Sequence, residues 1–352
     1  MRRRLAAILG ATGVAGRQAL RALEDHPWFE LAAVASSPRT AGRRLCDVLD
    51  GEGFDVDPGA LGNLVLQDAG HFNASSVDVV FSMLPSEVAA RLEGRCAQTT
   101  PVLSTASAFR TEPDTPLLLA GVNPEQFEQL RHQRMARGWG GFVAPGPNCT
   151  TVGLALTLAP LHEAFGVRCA SVTSMQAVSG AGSLAGAVMK EADGNVLPWI
   201  ENEEEKVERE CARIFGRTVK NTIEPASFPV SATCTRVPVK DGHTLSVALG
   251  LERASTPEEA AKVLSDHHPF KNRGLPSAPE IWIDVRSEAN RPQPRVDCAA
   301  GAGFTTVVGR LRADPVLGGL KYLVVSHNAV MGAAGGAVLL AEDLLERGFL
   351  GD

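Results

Sequence analysis

The sequence predicts an α/β protein with a doubly wound parallel sheet, followed by a second α+β domain. The first 35 residues alternate as strand, glycine turn, helix and strand. Strand and helix patterns then continue to alternate as far as residue 147, which is typical of a parallel sheet covered by helices. After Phe165 the strands alternate in polarity, as in a sheet with one exposed face. The first part is therefore expected to be a Rossmann-type domain.

The end of the chain is expected to return to the first domain. Residues 331–347 form a helical pattern rich in small side chains, which allows close packing. We therefore predict a discontinuous nucleotide-binding domain of residues 1–147 and 328–352, with a catalytic domain of residues 148–327 between its two parts.

Composition excludes several classes of protein. The 352 residues carry a net charge of -6, which provides no basic footprint for nucleic acid. The sequence has no apolar run of about 18 residues, so no membrane span is expected. Its seven cysteines form no CxxC pair and it has no HxxxH pair, which argues against a metal site and against disulfides. We expect a cytoplasmic protein with reduced thiols.

A glycine-rich turn follows the first strand, residues 5–9. Glycines at this point allow a tight turn and let backbone amides approach a pyrophosphate at the N-terminus of the next helix, predicted at 17–24. The spacing is GxxGxxG rather than GxGxxG. The residues predicted to bind a dinucleotide here are Gly10, Thr12, Gly13, Val14, Ala15 and Gly16.

The residues after the second strand, 31–35, discriminate between cofactors. An NAD site usually has Asp or Glu there to hold the ribose hydroxyl. This chain has Ser36, Ser37 and Arg39 instead, with further arginines behind them. Hydroxyls and a guanidinium suit a 2′-phosphate, so we expect NADP(H). A solvated loop is the alternative.

The remaining pattern of the first domain is less informative. Residues 45–75 are expected to be loop and short strands. A strand is predicted at 77–82, and Ser82 at its end and Leu84 just after it are expected to face the cofactor. A helix at 87–97 follows, with Ser86 as its N-cap. A strand at 101–104 and a helix at 124–137 complete the pattern.

Cys149 lies between a predicted strand, 141–144, and a predicted helix, 152–161. At a helix N-terminus, backbone amides and the helix dipole favour a thiolate, which is the nucleophilic form of cysteine. Cys149 is therefore a candidate nucleophile. The alternative is a small buried hydrophobic residue.

Histidine is the expected general acid/base, because its ordinary pKa lies near neutrality. Of eight histidines, His243 is the best candidate, since the turn at Asp241 and Gly242 projects it from a strand edge.

Before it, a strand at 167–177 leads into a glycine loop, where Ser179, Gly180 and Gly182 let backbone approach a ligand. The residues at 201–210 predict an acidic helix, whose charges by themselves are typical of a solvent-exposed face.

Six motifs in this order resemble the aspartate-β-semialdehyde dehydrogenase family, in its archaeal and fungal branch. They are GATGVAG at 10–16, PNCTT at 147–151, QAVSGAG at 176–182, EEEK at 203–206, RVPVKDGHT at 236–244 and NAVMGAAGG at 328–336. The resemblance implies NADPH-dependent reduction of L-aspartyl-4-phosphate to the semialdehyde with release of phosphate, in lysine, threonine and methionine biosynthesis. It also implies a homodimer or homotetramer formed through the second domain.

The resemblance also implies roles for individual residues. Cys149 resembles the nucleophile and His243 the acid/base, and Gln176 resembles the residue that orients the acyl-enzyme, with Asn148 supporting the oxyanion. Arg236 matches the arginine that binds the substrate carboxylate. The remaining matches are Glu203 or its neighbour Glu204 for the amino group, Lys206 and Arg110 for the phosphoryl group, and Asn328 for a cofactor contact.

The chain departs from the family pattern at four positions. Thr105 stands where asparagine is usual, Met331 where arginine is usual, Gly146 where asparagine is usual and Ser183 where tyrosine is common. These departures leave open a paralogue that acts on malonyl-CoA or on another acyl phosphate or thioester. A catalytically inactive nucleotide-binding paralogue is the non-enzyme alternative.

Overall fold

The first sheet of the computed structural model, which describes residues 2–49 and 59–350, has six parallel strands. They are β1 (Arg4–Leu9), β2 (Phe29–Ser36), β3 (Leu66–Asp68), β4 (Val79–Ser82), β5 (Val102–Ser104) and β6 (Val143–Pro145). The strand order is β3-β2-β1-β4-β5-β6, so the chain reverses direction across the sheet between β1 and β4. Ligands bind at such a switch point, beyond the carboxyl ends of the strands. The predicted Rossmann-type sheet is confirmed.

Five helices belong to this part of the molecule: α1 (Val14–Leu23), α2 (Leu45–Leu49), α3 (Ser86–Ala97), α4 (Glu128–Arg137) and α10 (Gly335–Glu346). Helix α2 corrects the expectation of loop and short strands at 45–75, of which residues 50–58 lie outside the described part. Ser86 is the first residue of α3 and not its N-cap, which is Pro85. The hydroxyl of Ser86 instead hydrogen-bonds to that of Ser107.

The second sheet is mixed. Its strands are β7 (Val167–Gln176), β10 (Val230–Arg236), β11 (His243–Leu251), β12 (Ile283–Arg286), β13 (Thr306–Asp314) and β14 (Gly319–Ser326). Their order is β10-β7-β11-β14-β13-β12, and β8 (Arg217–Val219) pairs separately with β9 (Thr222–Glu224). Exposed and buried residues alternate along much of β7, so one face of this sheet is open.

Helices cover the other face of the second sheet. They are α5 (Cys149–Phe165), α7 (Glu203–Ile214) and α8 (Pro257–Asp266), with the shorter α6 (Ala185–Ala192) and α9 (Pro294–Asp297) at the periphery. Helix α5 is almost wholly buried because it packs on β7, β11 and β14 and against α7 and α8. Its first residue lies where the two parts of the molecule meet.

The C-terminal segment packs on elements of the first sheet. After β14, a π-type turn (Val330–Ala334) precedes α10, so the helix begins four residues later than predicted. Ala333 has non-helical backbone angles, which separate the turn from the helix. Helix α10 packs against α1 and β5. The domain boundaries at 147/148 and 327/328 stay predictions.

Candidate active site

Cys149 is the first residue of α5, and Asn148 caps this helix. The Asn148 Oδ1 atom accepts hydrogen bonds from the backbone N–H groups of Thr150 at 2.8 Å and Thr151 at 3.3 Å. The Asn148 side chain therefore supplies the hydrogen-bond acceptor for these two amides. The Asn148 side chain fixes the orientation of the first turn, which carries the cysteine.

His243, the first residue of β11, faces the cysteine. Its Nε2 atom lies 3.2 Å from the Cys149 sulfur. Its Nδ1 atom accepts a hydrogen bond from the backbone N–H of Ala177 at 3.1 Å. A neutral ring that accepts at Nδ1 carries its proton on Nε2, so Nε2–H donates toward the sulfur. The antiparallel pairing of β11 with β7 brings Ala177 to this position.

The protonation states differ from those expected from the sequence. Burial, followed by the charge of Glu203, raises the pKa of the Cys149 thiol to about 12, although Arg110 and Arg236 act in the opposite direction. Burial, and then the charge of Arg236, lowers the pKa of His243 to about 3. Both shifts run against the expected resting thiolate and near-neutral histidine, because burial outweighs the helix terminus at Cys149 and acts together with the charge of Arg236 at His243. The free site holds a thiol beside a neutral imidazole.

We expect alkylation of Cys149 by neutral iodoacetamide to accelerate about tenfold per pH unit from pH 7 to 10 in the free protein. The thiolate is the reactive form, and below a thiol's pKa its fraction grows tenfold per pH unit. The residue is close-packed but retains accessible surface, so the reagent can reach it. Mass spectrometry of the labelled peptide measures the rate, with Cys149→Ser protein as the background. A plateau near pH 7 would show a thiolate formed in advance.

Glu203 connects several of the predicted site residues. Its Oε1 atom accepts from Asn148 Nδ2 at 2.8 Å and from Gln176 Nε2 at 3.1 Å. Its Oε2 atom lies 3.6 Å from Lys206 Nζ. Glu204 instead accepts a backbone N–H from Cys234 on β10. Of the two glutamates, Glu203 is therefore the one that lies in the site.

Arg236, the last residue of β10, lies close to the cysteine–histidine pair. It is 7% exposed and its Nη1 atom donates to the Ala177 carbonyl at 2.8 Å. Gly180 packs over both Arg236 and His243: a Cβ there would lie 2.9 Å from Arg236 Nη1 and 3.0 Å from His243 Cε1. Any larger residue at 180 would displace one of these side chains.

Arg110 is held by two elements. Its Nη1 atom donates to Glu210 at 2.9 Å, and its Nη2 atom donates to the Thr105 carbonyl at 2.8 Å. Glu210 also accepts the backbone N–H of Asn148 at 2.6 Å. Sequence reasoning did not single out Glu210. The available signal was its place seven residues after Glu203, on the buried stripe of α7.

The glycine turn after β1 fits a close backbone approach. A Cβ on Gly16 would lie 2.1 Å from the Gly10 carbonyl oxygen, and one on Gly10 would lie 2.6 Å from that of Met83. Gly10 also has a φ of +82°. Glycine is therefore required at both positions, as in a phosphate-binding turn. Thr12, Gly13, Val14 and Ala15 complete the segment between them.

Several other predicted cofactor residues are engaged within the protein. Ser36 is buried and its hydroxyl contacts that of Thr40, whereas Ser37 and Arg39 lie on the exposed turn after β2. The Ser82 hydroxyl is fully buried and donates to Glu93 at 2.6 Å. Among these residues, Arg39 is the charged group that reaches solvent beside the predicted ribose position.

Asn328 and the loop after β7 brace the turn that carries His243. Asn328 Oδ1 accepts the backbone N–H of Gly242 at 2.9 Å, and its Nδ2 donates to Ser179 at 2.9 Å. Gly182, with a φ of +59°, interrupts the helical turns of Val178–Leu184. The predicted cofactor residues Ser179 and Asn328 therefore hydrogen-bond to each other.

Three of the four departures from the family pattern line one cavity. Thr105, Gly146 and Met331 border a space of about 20 Å³. Met331 is 1% exposed, and the adjacent Gly332 packs on Cys149, where a Cβ would lie 2.9 Å from the cysteine Cβ. These three departures therefore lie together near Cys149.

A Rossmann-type parallel sheet, a second mixed sheet and a cysteine–histidine pair at the start of α5 are together typical of a dehydrogenase. Family models for the semialdehyde dehydrogenase NAD binding domain and dimerisation domain match residues 5–130 and 158–331. The chain belongs to the aspartate-semialdehyde dehydrogenase family of oxidoreductases, which confirms the resemblance inferred from the motifs.

Relatives and solved structures match nearly the whole chain. The aspartate-semialdehyde dehydrogenase of Archaeoglobus fulgidus is 42% identical over 342 residues, which is 96% of this chain and 97% of the relative. That of Methanothermobacter thermautotrophicus is 40% identical over 350 residues, 95% and 97% of the two chains. The Candida albicans enzyme with NADP superposes with a TM-score of 0.89 at 33% identity, covering 99% of this chain and 100% of that one.

Two findings on the described residues bear on ligands and membranes. Within residues 2–49 and 59–350, no His, Cys, Asp or Glu side chains cluster in threes or more as a metal would require. Over the same ranges, no helix combines the length and apolarity needed to cross a bilayer. All seven cysteines are free.

Proposed function

We propose that this protein reduces L-aspartyl-4-phosphate to L-aspartate-4-semialdehyde with NADPH, through a thioester on Cys149. The observation that carries the proposal is the 3.2 Å contact between the Cys149 sulfur and His243 Nε2, at a helix N-terminus that also contacts Glu203. A covalent acyl reaction needs a nucleophile and a proton donor within such reach. Biosynthesis of lysine, threonine and methionine is the proposed context.

The chain's own residues fit NADP(H). The close-packed glycine turn between Gly10 and Gly16 allows a pyrophosphate to approach the start of α1, and Arg39 supplies a cation for a 2′-phosphate. Ser82 and Leu84 lie at the carboxyl end of β4, beside the switch point of the sheet. NADPH, when bound, supplies the hydride that reduces the acyl carbon.

Arg236 and Glu203 suit the two ends of an amino acid. A buried guanidinium binds a carboxylate through paired hydrogen bonds, and a buried carboxylate binds an ammonium group. Glu203 already accepts from Asn148 and Gln176, so its position is fixed before substrate arrives. Malonyl-CoA has a carboxylate for Arg236 but no ammonium group for Glu203. The paired charges therefore favour the aspartyl donor.

The first half-reaction transfers the acyl group. The sulfur of Cys149 bonds to C4, the C4–O bond to phosphate breaks, and the thiol proton leaves with the phosphate as hydrogen phosphate. Arg110 and Lys206 are the cations that receive the leaving group. Since Asn148 Oδ1 occupies the amides of Thr150 and Thr151, His243 Nε2–H is the donor placed to stabilise the oxygen at C4.

In the second half-reaction the C4–S bond of the reduced carbon breaks as the oxygen at C4 re-forms the carbonyl, and the sulfur leaves as a thiolate that takes one proton from solvent. His243 holds its proton at Nε2, facing the sulfur, because the Ala177 N–H occupies Nδ1. Gln176 donates to Glu203 and accepts from Arg236, which places it between the two groups that hold the substrate ends. It thereby fixes the acyl group relative to the sulfur.

The test is run in the oxidative direction, as NADP reduction with aspartate semialdehyde and phosphate. We expect turnover that requires phosphate and that is faster with NADP than with NAD. Malonate semialdehyde with CoA is the competing pair, and absorbance at 340 nm measures both reactions. Activity with only the second pair would establish the paralogous acyl reductase instead. Nucleotide binding without turnover of either pair would establish the inactive paralogue.

Association into a homodimer or homotetramer is proposed through the second domain. The sheet of β7 and β10 has alternating exposed residues on the face opposite the helices. The match of residues 158–331 to a dimerisation domain supports this location. Sedimentation velocity would give the assembly.

A further inference from the structure

A buried carboxylate outside the predicted site joins two parts of it. Glu210, on the second turn of α7, is 2% exposed. Its Oε1 atom accepts from Arg110 Nη1 at 2.9 Å, and its Oε2 atom accepts the backbone N–H of Asn148 at 2.6 Å. Arg110 follows β5 in the first domain, whereas Asn148 caps the helix that carries the nucleophile. One carboxylate therefore spans the interval between the anion-binding arginine and Cys149.

We propose that Glu210 is a positioning residue that fixes the guanidinium of Arg110 relative to Cys149 and thereby sets phosphate recognition. This inference rests on the proposed function, in which Arg110 receives the phosphate. The Glu210 bond and the bond to the Thr105 carbonyl hold the guanidinium at both terminal nitrogens. A guanidinium fixed in this way presents its remaining N–H groups in one direction, which a phosphate requires.

The site retains donor capacity on Arg110. Its Nε atom is buried and has no acceptor in the described part of the chain. Glu93, the other buried glutamate near Arg110, has its pKa raised by burial and accepts from Ser82 and Ser104. Glu210 is therefore the carboxylate in direct contact with the arginine, and it offsets the arginine's charge when no anion is bound.

Both oxygens of Glu210 are needed, and this makes the glutamine variant informative. A carboxylate accepts on both sides, whereas an amide has one acceptor oxygen and one NH₂ group. In Glu210→Gln, either Arg110 or the Asn148 N–H must face the NH₂ group. The side chain keeps its volume, so the helix packing of α7 is retained while the connection is broken.

The experiment compares Glu210→Gln with Glu208→Gln in the full-length protein. Glu208 lies on the same helix and accepts a backbone N–H from Ala232, away from Arg110, so it is a matched control. With inorganic phosphate, NADP and aspartate semialdehyde, we expect the phosphate KM of Glu210→Gln to rise about tenfold, as for the loss of one charge-assisted hydrogen bond. The KM for NADP stays unchanged, and Glu208→Gln behaves as wild type.

A second variant separates positioning from a merely structural role. If Glu210 acts through Arg110, adding Glu210→Gln to Arg110→Gln changes the phosphate KM less than twofold, because the two effects are not additive. The two neutral amides can still hydrogen-bond to each other, so the double variant tests the inference even if Glu210→Gln alone does not fold. Additive effects, or a phosphate KM of Glu210→Gln within twofold of wild type, would overturn the inference. Wild-type protein without phosphate-dependent turnover would overturn the proposed function itself, and the inference with it.

Discussion

Replacement of Cys149 by alanine is expected to abolish phosphate-dependent turnover. The sulfur forms the bond to C4, and no other described group lies at its position 3.2 Å from His243 Nε2. Loss of a covalent nucleophile removes the pathway rather than slowing one step, so we expect a fall of at least about 10⁴-fold in kcat. The measurement is NADP reduction with aspartate semialdehyde and phosphate.

The control for this variant is cofactor binding. Cys149 lies outside the glycine turn, and alanine fits the first position of α5 without disturbing the Asn148 cap. NADPH affinity, followed by quenching of tryptophan fluorescence, should therefore stay within about twofold of wild type. Normal turnover by Cys149→Ala would remove the cysteine from the mechanism. Cys96→Ala is a second control, since this buried cysteine lies on α3 and is not a proposed nucleophile.

The nucleotide-binding part was largely predictable from local patterns. Continuous apolar runs and a glycine turn specify parallel strands and a dinucleotide loop, because close backbone contacts tolerate only glycine at Gly10 and Gly16. The strand order could not be read directly, since strands far apart in sequence pair through the sheet. Helix α2 was missed because its five residues are too few for a clear helical period.

The sequence predicted residues that the structure brings together, but it did not predict their electrostatics. Cys149 and His243 were found from their positions at element ends, and the motifs added the charged residues. Their pKa shifts depend on burial by segments distant in sequence, which no local pattern records. Glu210 was missed for the same reason. Its partners, Arg110 and Asn148, are 100 and 62 residues away.

The raised pKa of Cys149 depends partly on a residue of the proposed substrate site. Glu203 is the second cause of the raised Cys149 pKa, and it is also the proposed partner of the substrate ammonium group. Binding of that cation offsets the carboxylate's charge and lowers the pKa of the thiol. Under the proposed function, occupation of the amino-acid site therefore favours ionisation of Cys149.

Replacement of His243 is expected to have the next largest effect. His243→Ala removes the Nε2–H donor facing the sulfur, and loss of a positioned proton donor costs about 10²- to 10⁴-fold in kcat. His243→Gln places an amide NH₂ near the former Nε2 position, so we expect it to retain more activity than His243→Ala. Steady-state kinetics of both variants at saturating phosphate measures the difference. Equal kcat in the two variants would contradict the role of Nε2–H as a donor.

The His243→Gln variant also tests, through its folding stability, whether the His243 ring is neutral in the folded protein. His243 has a folded-state pKa of about 3, below its ordinary value of 6.5. Between these pH values the unfolded chain binds one more proton than the folded chain, so folding stability declines as the pH falls through that window. His243→Gln lacks this proton, and the other buried histidines remain in both proteins. We therefore expect denaturant unfolding at pH 7 and pH 5 to show a smaller loss of stability on acidification for His243→Gln than for wild type. An equal loss in both proteins would mean that His243 is protonated as readily in the folded chain as in the unfolded one, which the Ala177 N–H at Nδ1 opposes.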